Sequence, residues 1–426
     1  MAKAAKVKGN KRMAAKKAAP KKSIKKTVKK AAKKTAKKVT SKKPTPGKVT
    51  VKASDIRRGL VGVIADTTAV SKVVPETNSL TYRGYAVQEL ADHCTFEEVT
   101  YLLLDGELPN RSQLNAFKKK ERSLRKLSKN HVDVIAKFPK RAHPMDTIRT
   151  AVSYLGTTEV AWGGEPWEAD HERAVNLLAK IPTMIATDFR FRNGKRRIPP
   201  RTDLSMAENF FYMCFGKVPP RKIVKAFDTS LILYAEHSFN ASTFTSRMIT
   251  STRSDIYSAV AGGIGALKGP LHGGANEAVM EMMEEIRTPK RAEPWIRDAI
   301  ANKKLIMGFG HRVYKHGDSR VPTMKICLEH LTEWSGDTKW LEIYNILADI
   351  FINEKGIYPN LDFPSGPAYY LMGFPVNLYT PIFVMARIAG WSAHILEQNA
   401  ANVLIRPLSA YDGKAQRKVK PVAKRK

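Results

Sequence analysis

Cysteine is scarce in this chain. Its three thiols, Cys94, Cys214 and Cys327, are widely separated in 426 residues and show neither a CxxC pair nor Cys/His ligand spacing. This excludes a disulfide scaffold and leaves buried free thiols in a reducing compartment. Long apolar runs are also lacking: none reaches the ~18 residues of a membrane-spanning helix, and no secretory leader pattern is present. The expectation is a cytoplasmic protein. There is no HExxH and no cluster of carboxylates and histidines, so a metal hydrolase is disfavoured and no metal is expected. Acidic residues are missing from both ends. Residues 1–52 hold 21 Lys/Arg and no Asp or Glu, and residues 414–426 hold 7 Lys/Arg and no acid. The formal charge of +34 therefore belongs to the ends, because residues 53–413 carry 45 bases against 39 acids.

The segment 1–53 is a Lys/Ala-rich tail in which like charges repel and little apolar surface is available, so it is expected to be disordered. Lysines that meet phosphates release counterions, and the functional reading is salt-sensitive, sequence-independent contact with nucleic acid or another polyanion. No aromatic residue interleaves the lysines, so base stacking is not supported. A solubilising tail without a partner is the plain alternative. A mitochondrial transit peptide fits the lack of acids but not the preference for Lys over Arg.

Between the ends, 43% hydrophobic residues and ample length predict a sizeable core. Strands are expected within Gly59–Thr68 and Ser79–Tyr85. From Val87 onward helical periodicity dominates, through Leu90, Val99, Leu102 and Leu103 to a stop at Gly106-Glu-Leu-Pro109. Further helices are expected over 145–156, 170–187, 205–216, 222–236, 255–267, 274–287, 322–333, 339–353 and 381–398. The chain reads as mainly α. Gly262-Gly-Ile-Gly resembles a dinucleotide loop, but it follows a helical pattern and not a strand, so close helix packing is the better reading.

Three short segments carry the chemistry: Leu271-His-Gly-Gly-Ala-Asn-Glu, Gly308-Phe-Gly-His-Arg-Val-Tyr and Asn360-Leu-Asp-Phe-Pro. Each sets one ionisable residue among glycines or prolines. A neutral His272 suits donation to an enolate oxygen. His311 has Arg312, Lys315 and Arg320 nearby, which disfavour imidazolium and suit an anionic substrate. Asp362, among apolar neighbours, gains basicity by desolvation. Taken singly, each is equally compatible with an ordinary turn. Taken together, two imidazoles and a carboxylate can remove a proton from carbon and stabilise the oxyanion.

With Tyr234-Ala-Glu-His-Ser-Phe-Asn-Ala-Ser-Thr, Ala386-Arg-Ile-Ala-Gly-Trp and Leu404-Ile-Arg-Pro, these segments make residues 54–413 resemble the citrate synthase family. Ile232–Thr245, Pro367-Ala-Tyr-Tyr-Leu-Met-Gly and Ile405-Arg-Pro-Leu-Ser-Ala-Tyr resemble its bacterial 2-methylcitrate synthase branch. The resemblance implies condensation of propionyl-CoA or acetyl-CoA with oxaloacetate, giving 2-methylcitrate or citrate plus CoA. An ordinary citrate synthase restricted to acetyl-CoA is the alternative. It implies Asp362 as base, His272 as enolate partner and His311 as the acid at the oxaloacetate carbonyl. His237 matches an oxaloacetate-binding position, and Arg320, Arg387 and Arg406 a carboxylate clamp, with Arg406 crossing from the second subunit of a homodimer. Leu305, Ile306, Met307, Gly308 and Phe309 match a CoA-contacting loop, Lys315 is suited to CoA phosphate, and Arg111 and Lys225 align with positions sometimes assigned to ligand. No cofactor is implied, since acyl-CoA is a substrate. The family often has Asp-Pro-Arg where this chain has Asp318-Ser319-Arg320, which leaves the arginine in place. The implied fold is the mainly α, two-domain one, with a large domain at 54–275 and 381–413, a small domain at 276–380, closure around the substrates, and a basic tail at 414–426.

Overall fold

The computed structural model describes residues 56–159, 169–311, 313–314 and 316–425. The basic N-terminal tail, Arg312 and Lys315 lie outside the described residues. Ile64–Leu408 forms one compact unit, and apart from their outermost residues both expected domains fall within it.

The only sheet among the described residues has three antiparallel strands, β1 Ser71–Val74, β2 Ser79–Tyr82 and β3 Tyr85–Ala86. The second expected strand is therefore a hairpin, turning at Arg83-Gly84, where Gly84 has φ +94°. The strand expected within Gly59–Thr68 does not form. Arg58–Leu60 is a short 3-10 turn, Gly59 and Gly62 have positive φ, and among the described residues no strand forms a ladder with the segment.

Sixteen α-helices follow among the described residues: α1 Val87–His93, α2 Phe96–Asp105, α3 Arg111–Leu124, α4 Lys129–Ala136, α5 Pro144–Glu159, α6 Asp170–Arg192, α7 Met206–Phe215, α8 Arg221–Tyr234, α9 Ala241–Ser251, α10 Ile256–Leu267, α11 Ala275–Ile286, α12 Pro289–Ala301, α13 Val321–Ser335, α14 Lys339–Lys355, α15 Asp362–Leu371 and α16 Tyr379–Ala400. All nine expected helices are present. Helices α3, α4, α9, α12 and α15 were not anticipated. Capping boxes start several elements: Thr95 with Glu98, Asn110 with Gln113, and Ser205 with Glu208 each satisfy two backbone donors.

Helix α16 is the axis of the body. It is buried nearly all round and packs against α6, α9 and α10, so its two buried ionisable groups, Arg387 and His394, must be explained by partners or ligands. The Gly262-Gly-Ile-Gly run lies inside α10, as the packing reading requires. A Cβ at Gly262 would sit 2.2 Å from Ile249 Cδ1 on α9, and one at Gly263 would sit 2.6 Å from Ser246 Oγ and 3.2 Å from Trp391. These glycines let α9, α10 and α16 approach closely, which brings Trp391 to the first turn of α9.

Candidate active site

The site is built around one turn. Helix α8 ends at Tyr234, and the chain bends through Ala235-Glu236-His237 before α9. The phenol of Tyr82, reaching from β2, donates to Glu236 O (2.9 Å) and accepts from Glu236 N–H (3.3 Å), fixing the turn. His237 is thereby buried, and its Nε2 has no hydrogen-bond partner among the described residues. Burial, then Arg320, His311 and Arg387, hold His237 well below the ordinary imidazole range, so it is neutral.

His272 faces the N-terminus of α9. Its Nε2 lies 3.3 Å from the Ser242 backbone nitrogen and 2.8 Å from Ser242 Oγ. The backbone N–H can only donate, so Nε2 is the acceptor and the proton of the neutral ring sits on Nδ1. The Ser242 hydroxyl is itself oriented: its one proton is shared between His272 Nε2 and Asn240 Oδ1 (2.8 Å from each), and its oxygen accepts from the Trp391 indole N–H (3.1 Å). Burial, then Arg387, lowers the His272 pKa to about 4, and the positive end of α9 acts in the same sense.

His311 and Asp362 come from two segments that pair with each other. Phe309 and Pro359 form an antiparallel bridge, Gly310 N–H donates to Tyr358 O (2.8 Å), and Asn360 N–H to Gly308 O (2.9 Å). Gly308 is required there: its φ is +81°, and a Cβ would lie 2.6 Å from Val279 and 2.9 Å from Phe363. His311 Nδ1 accepts from the N–H groups of Val313 (3.1 Å) and Tyr314 (3.2 Å), which leaves Nε2–H as the free donor. Burial, then Arg320, lowers its pKa to about 4. The rings of His311 and His237 are 5.0 Å apart.

Asp362 is the first residue of α15. The turn before it is made by Asn360, whose Oδ1 accepts the Asp362 N–H (3.1 Å), so the Asp362 carboxylate is spared for the site. Burial raises its pKa to about 6, against a lowering hydrogen bond from Tyr234 Oη (2.7 Å). Phe383 forms the shared apolar wall, with its ring 4.3 Å from that of Tyr234, 6.3 Å from that of His272, and 4.8 Å from the Arg387 guanidinium.

Of the three clamp arginines, Arg387 is the most available. It is buried, its Nε donates to Tyr234 O (2.8 Å), and its Nη1 has no hydrogen-bond partner among the described residues. A buried, half-satisfied guanidinium beside the orphaned His237 is arranged for a carboxylate. Arg320 is closed on Asp318 through two bonds (2.9 and 2.7 Å), with Nη1 only 3.4 Å from Leu233 O. Burial opposes ionisation of Asp318, but the Arg320 charge prevails and keeps it anionic. Arg406 does not join the site within one chain. Ile405 N–H is tied to Ser251 Oγ (3.0 Å) at the last turn of α9, nine residues and roughly 13 Å from Ser242 at its first turn.

The matched loop Leu305–Phe309 precedes His311, with Leu305 exposed and Ile306 and Phe309 packed inward. Lys225 is occupied elsewhere: its ammonium donates to Ala91 O (2.7 Å) and Cys94 O (3.1 Å), capping α1. Arg111 is exposed at the start of α3, and no hydrogen bond joins it to the site among the described residues. Sequence reasoning quoted the segments holding Tyr234, Ser242, Asp318 and Trp391 but gave these residues no role. The tasks of Tyr234, Ser242 and Trp391 depend on contacts 128 and 149 residues away in the chain, whereas Asp318 acts on Arg320, two residues on.

The family model described as citrate synthase, C-terminal domain, matches residues 59–408. The citrate synthase of Mycolicibacterium smegmatis is 55% identical over 366 residues, covering 86% of this chain and 97% of that protein. The 2-methylcitrate synthase of Mycobacterium tuberculosis is 56% identical over 363 residues, covering 85% and 92%. Among solved structures, the ternary complex of Thermoplasma acidophilum citrate synthase with carboxymethyl coenzyme A and oxaloacetate superposes with a TM-score of 0.83 at 34% identity, covering 87% of this chain and 99% of that one. The chain belongs to the citrate synthase family.

Proposed function

We propose that this protein condenses a short acyl-CoA with oxaloacetate, with propionyl-CoA as the favoured thioester and 2-methylcitrate and CoA as products. The observation that carries this reading is the pairing of a basic carboxylate, Asp362, with two neutral imidazoles whose free N–H groups are set by backbone donors.

The carboxylate of Asp362 takes the α-proton of the thioester. Nδ1–H of His272 hydrogen-bonds the thioester oxygen as it becomes enolate. The α-carbon then bonds to the oxaloacetate carbonyl carbon, and the carbonyl π pair becomes an alkoxide that receives the Nε2 proton of His311. Water adds to the thioester carbonyl, the C–S bond breaks, and the thiol leaves as CoA, which makes the sequence effectively irreversible. His237 and Arg387 hold the oxaloacetate carboxylates, and the Arg320–Asp318 pair supports the clamp. A neutral imidazole is the better electrophile here because it donates without having first to be charged in a buried site.

Two features of assembly belong to this reading. Arg406 completes the clamp of the partner subunit in a homodimer, which is supported by its exposure and by the exposed Val403, Leu404 and Leu408 around it. Closure of the small domain, 276–380, over the large one excludes water before chemistry. The basic tail, with 21 Lys/Arg and no acid in residues 1–52, associates with a polyanion such as nucleic acid.

The test is a comparison of kcat/KM for propionyl-CoA and acetyl-CoA. One methylene in an apolar pocket is worth ~1–3 kcal/mol, so a preference of roughly 10- to 200-fold for propionyl-CoA is expected. A preference for acetyl-CoA makes the protein an ordinary citrate synthase.

The pH profile tests the base separately. Asp362 must be ionised and titrates at about 6, whereas His272 and His311 titrate at about 4. Activity should therefore fall through one acid limb centred near 6. In Tyr234→Phe the ionised carboxylate loses a hydrogen bond worth ~1.5–3 kcal/mol, and the limb should move up by about one to two units. An unmoved limb contradicts the role given to the Tyr234–Asp362 bond.

A further inference from the structure

The positive charge of the folded body is concentrated. Residues 111–130 and 190–203 hold fourteen Lys/Arg and two acids, Glu121 and Asp203, a net of +12. Residues 53–413 as a whole carry only 45 bases against 39 acids, so the remainder of the body is net acidic. The structure lays the two stretches side by side. Arg122 Nη1 donates to Thr202 O (3.3 Å), and Arg125 Nη1 donates to Arg201 O (2.8 Å) and Leu204 O (2.9 Å).

Between them is an open groove of about 570 Å³, lined by Asn115, Lys118, Lys119, Arg122, Ser123 and Thr202. No acid is among the lining residues. The neighbouring carboxylates are committed: Glu121 forks onto Arg125, Asp203 onto Arg201, and Glu172 onto Lys120. No carboxylate lies within ion-pair distance of Lys118, Lys119 or Arg122 among the described residues, and Arg122 Nε is buried without a partner. Lys195-Arg196-Arg197 continues the charge along the adjoining loop.

Two ammoniums, a guanidinium, an amide and two hydroxyls suit phosphate oxygens. The lining holds no aromatic ring, so bases are not stacked or read. The charged surface is also long. Helix α3 has 14 residues and so spans roughly 20 Å, the rise of about six base pairs. We propose that this groove binds the phosphate backbone of a nucleic-acid duplex without regard to sequence. The inference extends the polyanion reading of the tail to a second set of residues.

The experiment measures binding of a short DNA duplex over a salt series. It uses the full chain, a chain beginning at residue 53, and both with Lys118→Gln, Lys119→Gln and Arg122→Gln combined. The shorter chain keeps the whole compact unit Ile64–Leu408 and all of residues 59–408 that the family model matches. It should still bind, and the triple substitution should abolish that binding. In the full chain the substitution should lower the slope of log K against log salt by roughly 2–3, since each lost phosphate contact removes about 0.9. Turnover should be unchanged in both.

No binding by the shorter chain, or a slope the substitution does not move, overturns the groove. Binding of inorganic polyphosphate but not DNA by the shorter chain overturns the nucleic-acid assignment. Equal affinity and slope with and without residues 1–52 overturns the tail reading and leaves the groove standing.

Discussion

Asp362→Asn should remove turnover and stabilise the fold at the same time. A positioned general base contributes ~10²–10⁴-fold to a proton transfer, so the rate should fall by at least that range, while oxaloacetate binding through His237 and Arg387 is largely kept. The stability effect follows from the raised pKa. Asp362 titrates at about 6 in the fold, against about 3.9 in an unfolded chain. Between these values the native state binds more protons than the unfolded one, so stability falls as pH rises through that window. Above pH ~6 the full cost of the buried charge is present, about 1–3 kcal/mol from a shift of this size. Asn cannot ionise and avoids it. The variant should therefore unfold at higher temperature than the parent near pH 8, with the difference vanishing towards pH 4. Near-parental turnover would refute the base. A stability difference independent of pH would refute the buried, raised carboxylate.

A second large effect comes from mixing two inactive proteins. In a homodimer whose sites are completed across the interface, Arg406→Ala removes a clamp residue from the partner's site, and Asp362→Asn removes the base from its own. Each variant alone should be nearly inactive. In a mixed dimer, the subunit carrying Arg406→Ala keeps its own Asp362 and receives an intact Arg406, so one of the two sites is whole. Refolding or co-expressing the two should restore activity to roughly a quarter of the parental level if subunits pair at random. No recovery, in mixtures shown to contain mixed dimers, would mean that Arg406 serves its own chain or no site. The position of Ile405 at the far end of α9 from Ser242 argues against the first of these.

The residues proposed for catalysis stand out in the sequence because their segments are local: glycines and prolines around His272, His311 and Asp362 mark turns wherever they are met. Even so, one inference needed the structure. An aspartate two residues before a proline reads equally as a turn-former, and only the coordinates assign that task to Asn360. Long-range dependences were hidden. Nothing near His272 in the chain reveals that Ser242 sets its tautomer, or that Trp391 orients Ser242, because those contacts depend on α9, α10 and α16 closing over Gly262 and Gly263. The failed strand at Gly59–Thr68 has the opposite cause. Its local composition favours extension, but strands persist only beside another strand, and none is laddered with it among the described residues. Charge was the least legible property. A body net of +6 conceals a face of +12, which emerges when α3, unanticipated from periodicity, is laid beside residues 201–204.

The most direct test of the condensation itself is the release of free thiol from propionyl-CoA and from acetyl-CoA by the purified full-length protein, followed with and without oxaloacetate. With both substrates present, thiol should appear in step with oxaloacetate consumption, and the product mass should equal the sum of oxaloacetate and the free carboxylic acid of the acyl group, since one hydrogen of the water leaves on the thiol. Without oxaloacetate there should be essentially none. Thiol release that does not require oxaloacetate would mark a thioesterase. No release from any short acyl-CoA, by protein whose dimer is intact, would contradict the assignment of His272, His311 and Asp362 to carbon–carbon bond formation.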